Sequence, residues 1–192
     1  MLDFFRIYLL GGMLVHKLVW ELMKRSTPHS DTVPPSEKSI AKQLIKIAKF
    51  GALLFFLIQA LLLPAIFPIL DDPKLIRIIG LSIYSAGLVI AIVGRIQLGV
   101  NWANIEDFQV IRGQQLVQSG IYRFIRHPIY TGDLLLVLGL ELALNSWLVL
   151  LVIPLFLYVN QQAKAEEAAL STVFPDYAGY KQHTKMFIPM VY

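Results

Sequence analysis

Apolar residues in this chain fall in five long blocks separated by polar connections, rather than in the short alternating runs of a soluble core. The first block, Phe4 to Met23, has the twenty or so residues that helical rise needs to reach about 30 Å and cross a bilayer. Its second half carries His16, Lys17 and Glu21. Lys17 and Glu21 stand four apart on one face, so they either snorkel or pair near the membrane surface, or the whole segment lies along that surface. No small-residue cleavage pattern follows the block, which therefore reads as a retained span rather than a signal peptide.

Residues 24–49 are polar, contain Pro28 and Pro34-Pro35, and turn basic and amphipathic through Lys38, Lys42, Lys46 and Lys49. That pattern predicts a loop leading into a surface-lying helix start. Phe50 to Leu70 carries no charge and is the clearest span, with Pro64 and Pro68 tolerable where neighbouring helices re-satisfy the backbone. Asp71-Asp72-Pro73 stops it, and Leu75 to Leu98 resumes an apolar run with Arg77 and Arg95 near its ends. Beyond a polar connection, residues 99–127, come Ile129 to Leu144 and Trp147 to Asn160, separated only by Asn145-Ser146. So short a link demands an antiparallel helical hairpin. The expected fold is all-α: a polytopic membrane bundle of about five transmembrane helices ending in a helical hairpin. Residues 1–93 supply three helices and a basic loop; residues 94–192 supply the polar connection, the hairpin and a charged tail.

Composition agrees with this pattern, since 56% of the 192 residues are apolar and 16% charged, where a soluble domain carries about a quarter charged residues. The net charge of +4 does not point to nucleic acid, because the basic residues flank apolar blocks instead of interleaving with aromatics. The absence of cysteine excludes a disulfide framework, a thiolate metal site and a cysteine nucleophile, and no metal ligand set is assigned. Thirteen of the 17 lysines and arginines lie in residues 24–49, 95–126 and 164–192, which five crossings place on one side. The positive-inside rule makes that side cytoplasmic and puts the N-terminus outside.

Chemistry-bearing residues collect on the same side. Gly113 to Tyr130 contains Gly120, Tyr122, Arg123, Arg126, His127, Pro128 and Tyr130, and the hairpin returns Glu166-Glu167 to its mouth. Each has a plain structural reading: a glycine turn, cationic anchors, a proline-opened helix, an interface aromatic, a solvated helix end. Together, arginine, histidine, tyrosine and carboxylate at the mouth of a helical hairpin make a pocket candidate for a small charged molecule.

Leu116-Val117, Ser119-Gly120, Tyr122, Arg126-His127-Pro128 with Tyr130, the short-linked helical pair, Glu166-Glu167 and Phe174-Pro175-Asp176-Tyr177 resemble the C-terminal core of the isoprenylcysteine carboxyl methyltransferases. These are membrane enzymes related to the phospholipid methyltransferases. The resemblance covers about residues 94–192 and implies S-adenosylmethionine as methyl donor, in a cytosol-facing pocket beneath the hairpin. It further implies a lipophilic or lipid-modified acceptor arriving from the bilayer. By motif position the cofactor contacts are Gln109, Gln114, Gln115, Leu116, Val117, Tyr122, His127, Pro128, Ile129, Tyr130 and Glu166. The donor's sulfonium and ammonium suit Glu166 and aromatic faces, while His127 and tyrosine hydroxyls suit its polar atoms. No catalytic acid or base is nominated, because displacement at a sulfonium depends on positioning and desolvation.

Two positions depart from the family pattern. Gln114 stands where the family usually has histidine, and Gln162 stands where an arginine contacts the acceptor, four residues before the paired glutamates. Gln162 and Arg126 are the substrate-facing candidates; at Gln162 a prenylcysteine-like carboxylate would lose a bidentate partner. A second resemblance joins His127-Pro128-Ile129-Tyr130-Thr131-Gly132-Asp133 and the terminal residues Phe187 to Tyr192 to the NADPH-dependent membrane sterol reductases, in which Asp133 becomes functional. A third reading is a non-catalytic lipid-binding membrane protein. Reporter fusions at residues 30, 72, 110 and 145 are expected to read inside, outside, inside and outside; an outside reading at 110 would overturn the cytosolic site.

Overall fold

In a computed structural model, which describes residues 3–25, 40–62, 67–101, 115–189 and 191, the chain is helical throughout. Helices α1 (Phe4–Arg25), α2 (Ile40–Leu62), α3 (Lys74–Leu98), α4 (Pro128–Ala143) and α5 (Val152–Val173) form the bundle. A short α6 (Tyr177–His183) follows, and 3-10 turns occupy Gly99–Asn101, Gly120–Arg123 and Trp147–Leu151. Lys74–Asn101 and Trp147–Val173 are each long and apolar enough to cross a bilayer. Large apolar side chains such as Phe50, Val89, Ile153 and Leu157 stay exposed around the bundle, as a lipid-facing surface requires.

The centre is the seam between α3 and α4. Gly80, Gly87 and Gly94 recur every seven residues on α3, two helical turns, and Gly132 and Gly139 do so on α4. The two stripes face each other: a Cβ on Gly87 would sit 2.8 Å from the Gly132 carbonyl oxygen, and one on Gly139 would collide with the backbone of Tyr84. Small residues let membrane helices approach backbone to backbone, where van der Waals contact replaces the hydrophobic drive that lipid cannot supply. At the end of this seam, Gly94 meets Pro128, which fixes the start of α4.

α1 packs along α3. Asp3 binds Arg77 at 2.9 Å at one end, the Tyr84 hydroxyl donates to the Leu9 carbonyl at 2.9 Å, and Tyr8 meets Ser85 at 2.7 Å. Further along, His16 reaches Asp133 of α4 at 3.3 Å. Lys17 and Glu21 pair at 3.0 Å, as their spacing predicts.

The span expected at Phe50 to Leu70 is displaced. α2 begins at Ile40 inside the basic stretch and ends at Leu62, and residues 67–70 are irregular. Pro68 has no N–H to continue a helix, and the segment instead clamps the hairpin link. Asn145 donates to the Leu70 carbonyl at 2.8 Å and accepts from its N–H at 3.1 Å, while Trp147 N–H reaches the Phe67 carbonyl at 2.9 Å. Close by, Gln59 donates to Glu141 at 3.0 Å, both side chains being fully buried. The second hairpin helix also runs past Asn160 to Val173, carrying Glu166 and Glu167 on a continuous helix. Residue 94, the expected start of the methyltransferase-like half, lies inside α3.

Gly87→Ala and Gly139→Ala are each expected to cost about 1–3 kcal/mol, the range for overpacking. Gly11→Ala, with open space around its Cβ, is expected to leave the midpoint of thermal unfolding in detergent unchanged or slightly raised.

Candidate functional site

From Gln115 to Ile121 the connection is tied to the end of α3. Asn101 accepts from Gln115 N–H at 2.8 Å, and Gln97 accepts from Ile121 N–H at 2.7 Å. Gly120 takes a left-handed φ of 61°, with Gln97 packed where a Cβ would be, so the expected glycine turn is real and leaves no room for a side chain. His127 then ends the loop and Pro128 opens α4 in its first turn, a position where its missing N–H costs nothing.

Glu167 gathers the loop, α6 and the tail around one carboxylate. That carboxylate is 2% exposed and receives Arg126 Nε at 2.6 Å, lies 3.3 Å from His127 Nε2, and has the Lys181 ammonium 2.8 Å away. Arg126 also donates to the Thr184 carbonyl. Backbone bonds from Arg126 N–H to Lys185 at 2.8 Å and His127 N–H to Met186 at 3.1 Å lay the tail against the loop. Arg126 is thus no membrane-surface anchor; its side chain is 6% exposed and tied into three elements.

Beside this cluster, Tyr130 donates to Glu166 at 2.8 Å and stacks parallel on His127 with ring centres 5.3 Å apart. His127 Nδ1 lies 3.7 Å from Glu166. Loop and carboxylates therefore meet as the hairpin topology requires. Burial pushes the Tyr122 and Tyr177 hydroxyls far above their ordinary range, and raises Tyr180 to about 12. All three are neutral hydrogen-bonding groups at physiological pH.

These groups border a cavity of about 370 Å³, within the range of small-molecule sites. Gln115, Leu116, Val117 and Tyr122 line it from the connection, and Arg126, His127, Pro128, Ile129 and Tyr130 from the start of α4. Glu166 closes the α5 side. Gln109 and Gln114 lie outside the described residues. Gln162 is half-buried on α5 but does not border the cavity. The sequence reading missed the contributions of Trp20 from α1 and Lys49 from α2, and the wall formed by Asp133, Leu134, Leu155 and Tyr158. For the first two no local pattern exists, because only the packing of α1 and α2 brings them there.

Residues 75–177, just over half of the chain, match the phospholipid methyltransferase family model. The chain belongs to the phospholipid methyltransferase family. Within it, the protein-S-isoprenylcysteine O-methyltransferase of Schizosaccharomyces pombe is 30% identical over 99 residues, 50% of this chain and 42% of that protein. A probable protein-S-isoprenylcysteine O-methyltransferase of Oryza sativa subsp. indica is 27% identical over 155 residues, 79% of this chain and 78% of the other. The cobalt-zinc-cadmium resistance protein CzcN of Cupriavidus metallidurans is 35% identical over 80 residues, 41% of this chain and 37% of its own length. The chain thus spans less than half of the yeast and Cupriavidus relatives. The solved structure of the eukaryotic intramembrane Ras methyltransferase, an isoprenylcysteine carboxyl methyltransferase, shares the fold with a TM-score of 0.63. That match covers 97% of this chain and 68% of the other at 19% identity. The resemblance to the isoprenylcysteine carboxyl methyltransferases is therefore borne out, the chain is an integral membrane protein, and the sterol-reductase resemblance is set aside.

Glu167→Ala leaves Arg126 and His127 facing a buried void and is expected to destabilise by about 3–5 kcal/mol, as for other broken buried pairs. Lys181→Ala removes a half-exposed partner and is expected to cost at most about 1 kcal/mol. Thermal unfolding in detergent distinguishes the two.

Proposed function

We propose that this protein is an integral membrane S-adenosylmethionine-dependent methyltransferase acting on a lipophilic or amphiphilic acceptor, with its site facing the cytoplasm. One observation carries the reading: Tyr122, His127, Tyr130 and Glu166, separated by up to 44 positions in sequence, border one cavity at the mouth of the helical hairpin. The relatives support it, since those from S. pombe and O. sativa carry methyltransferase names.

The donor set fits the cofactor. Glu166 is the carboxylate at the cavity wall, and its bond from Tyr130 and the nearby His127 ring hold it in place for a cation. The faces of Tyr122 and Tyr130 favour a sulfonium. When bound, S-adenosylmethionine supplies an activated methyl carbon. The chain's own residues orient it, exclude water through the apolar wall of Leu116, Val117 and Ile129, and hold the acceptor in line. Proposed cofactor contacts are Gln115, Leu116, Val117, Tyr122, the segment His127 to Tyr130 and Glu166, with Gln109 and Gln114 added by motif position.

Calorimetry on the purified protein should show S-adenosylmethionine binding that Glu166→Ala weakens about ten- to a hundredfold, the worth of one charge-assisted contact. Lys164→Ala, exposed on α5 and away from the cavity, should leave it unchanged. Absence of binding to the wild type, or equal effects of the two variants, would overturn the assignment.

A further inference from the structure

Two irregular segments run side by side at the functional end of the bundle. The Lys185 N–H donates to the Phe124 carbonyl at 3.1 Å and the Arg126 N–H to the Lys185 carbonyl at 2.8 Å, so the loop and the tail form a short parallel ribbon. Ile125 is buried in the protein, whereas Arg123, Phe124 and Lys185 are exposed, Phe124 to 54%. The Arg123 guanidinium lies over the Phe124 ring, 5.0 Å from its centre.

The tail sets the level of this ribbon against the bilayer. Two residues beyond Lys185, Phe187 is buried against the hairpin: its carbonyl accepts from the Thr131 hydroxyl in the first turn of α4 at 3.0 Å, and its ring meets that of Phe156 on α5 at 5.8 Å. Ile188 and Val191 then expose apolar side chains, Ile188 to 53%. From Lys185 to Ile188 the surface turns from cationic to apolar, as a bilayer does between its headgroups and its acyl chains. An aromatic ring and long cationic side chains are the groups suited to that level.

The cations at this end divide into two sets. Arg126 and Lys181 bind Glu167, whereas Arg123 and Lys185 make no ion pair among the described residues. A shallow cleft beside them is bordered by Arg123 and His183, with Asp176 as the acid on its rim, so the balance of charge is positive. We propose that Arg123, Phe124 and Lys185 form a docking surface for the headgroups of anionic phospholipids. The guanidinium presents paired donors to phosphate oxygens, the ammonium adds a second charge, and Phe124 enters the upper acyl layer. None of the three residues borders the cavity, so this surface is separate from the proposed methyl-transfer site and does not depend on that reading.

The chain contains no cysteine, so Ile188→Cys carrying a bimane fluorophore reports on the lipid beside Lys185 alone. In nanodiscs of phosphatidylcholine, quenching by brominated phosphatidylglycerol is compared with quenching by brominated phosphatidylcholine. The anionic lipid should be preferred at this position by about fivefold for each of the two cations, the worth of a basic residue near a charged leaflet. Arg123→Gln with Lys185→Gln should bring the preference close to one, Arg123→Lys with Lys185→Arg should keep most of it, and high salt should weaken it. A bimane on Ile153→Cys, exposed at the other end of α5, should show little preference. Equal quenching by the two lipids at position 188, a preference that survives the double glutamine variant, or an equal preference at position 153 would overturn the inference. The comparison of the two lipids at position 188 needs neither charge variant, so a misfolded one cannot rescue the idea.

Discussion

The Glu167 carboxylate is the constraint around which the functional end of the molecule is built. A carboxylate 2% exposed is tolerable only with matched cations. Its cations come from two elements, Arg126 from the connection and Lys181 from α6, and the His127 ring lies 3.3 Å away. Satisfying one charge therefore fixes α5, the loop and the tail relative to each other. Removing Glu167 would leave two of its partners buried without compensation, a larger loss than any single contact at the cavity wall.

The neighbouring Glu166 is free for another role because Glu167 takes the arginine. Two adjacent glutamates on a helix point about 100° apart, so one faces the packed tail and the other the cavity. His127 lies between the two, 3.7 Å from Glu166 and 3.3 Å from Glu167, and its ring is parallel to that of Tyr130, which donates to Glu166. The division of labour is structural on one side and ligand-facing on the other.

The glycine seam supplies the second requirement, a fixed origin for α4. Because α3 and α4 touch backbone to backbone, Pro128 is held against Gly94, and the position of His127 is set by it. At the opposite end, the clamp between residues 67–70 and Asn145 holds the hairpin link closed. Both devices satisfy polar backbone within the protein, at the seam by close helix contact and at the link by the Asn145 side chain. The cavity is thus framed by elements that these contacts fix, with Leu134, Val137 and Leu155 forming an apolar part of its wall.

Much of this was legible in the sequence. The five apolar blocks, the two-residue hairpin link, the glycine turn at Gly120, the proline-opened α4 and the meeting of Arg126-His127 with Glu166-Glu167 all derive from local pattern, since hydrophobic period, turn chemistry and link length act over short stretches. The membership of Gln115 to Val117, Tyr122 and Tyr130 in one cavity was likewise visible through motif resemblance. What only the tertiary structure decided was where long-range partners fall. The burial of Arg126 on Glu167 with Lys181 and the delivery of Trp20 and Lys49 to the cavity wall depend on how helices distant in sequence pack. A bilayer imposes the same apolar demand on every span, so composition fixes that a segment crosses but not which of its faces meets a neighbour; that choice belongs to the glycine seam and the few buried charges.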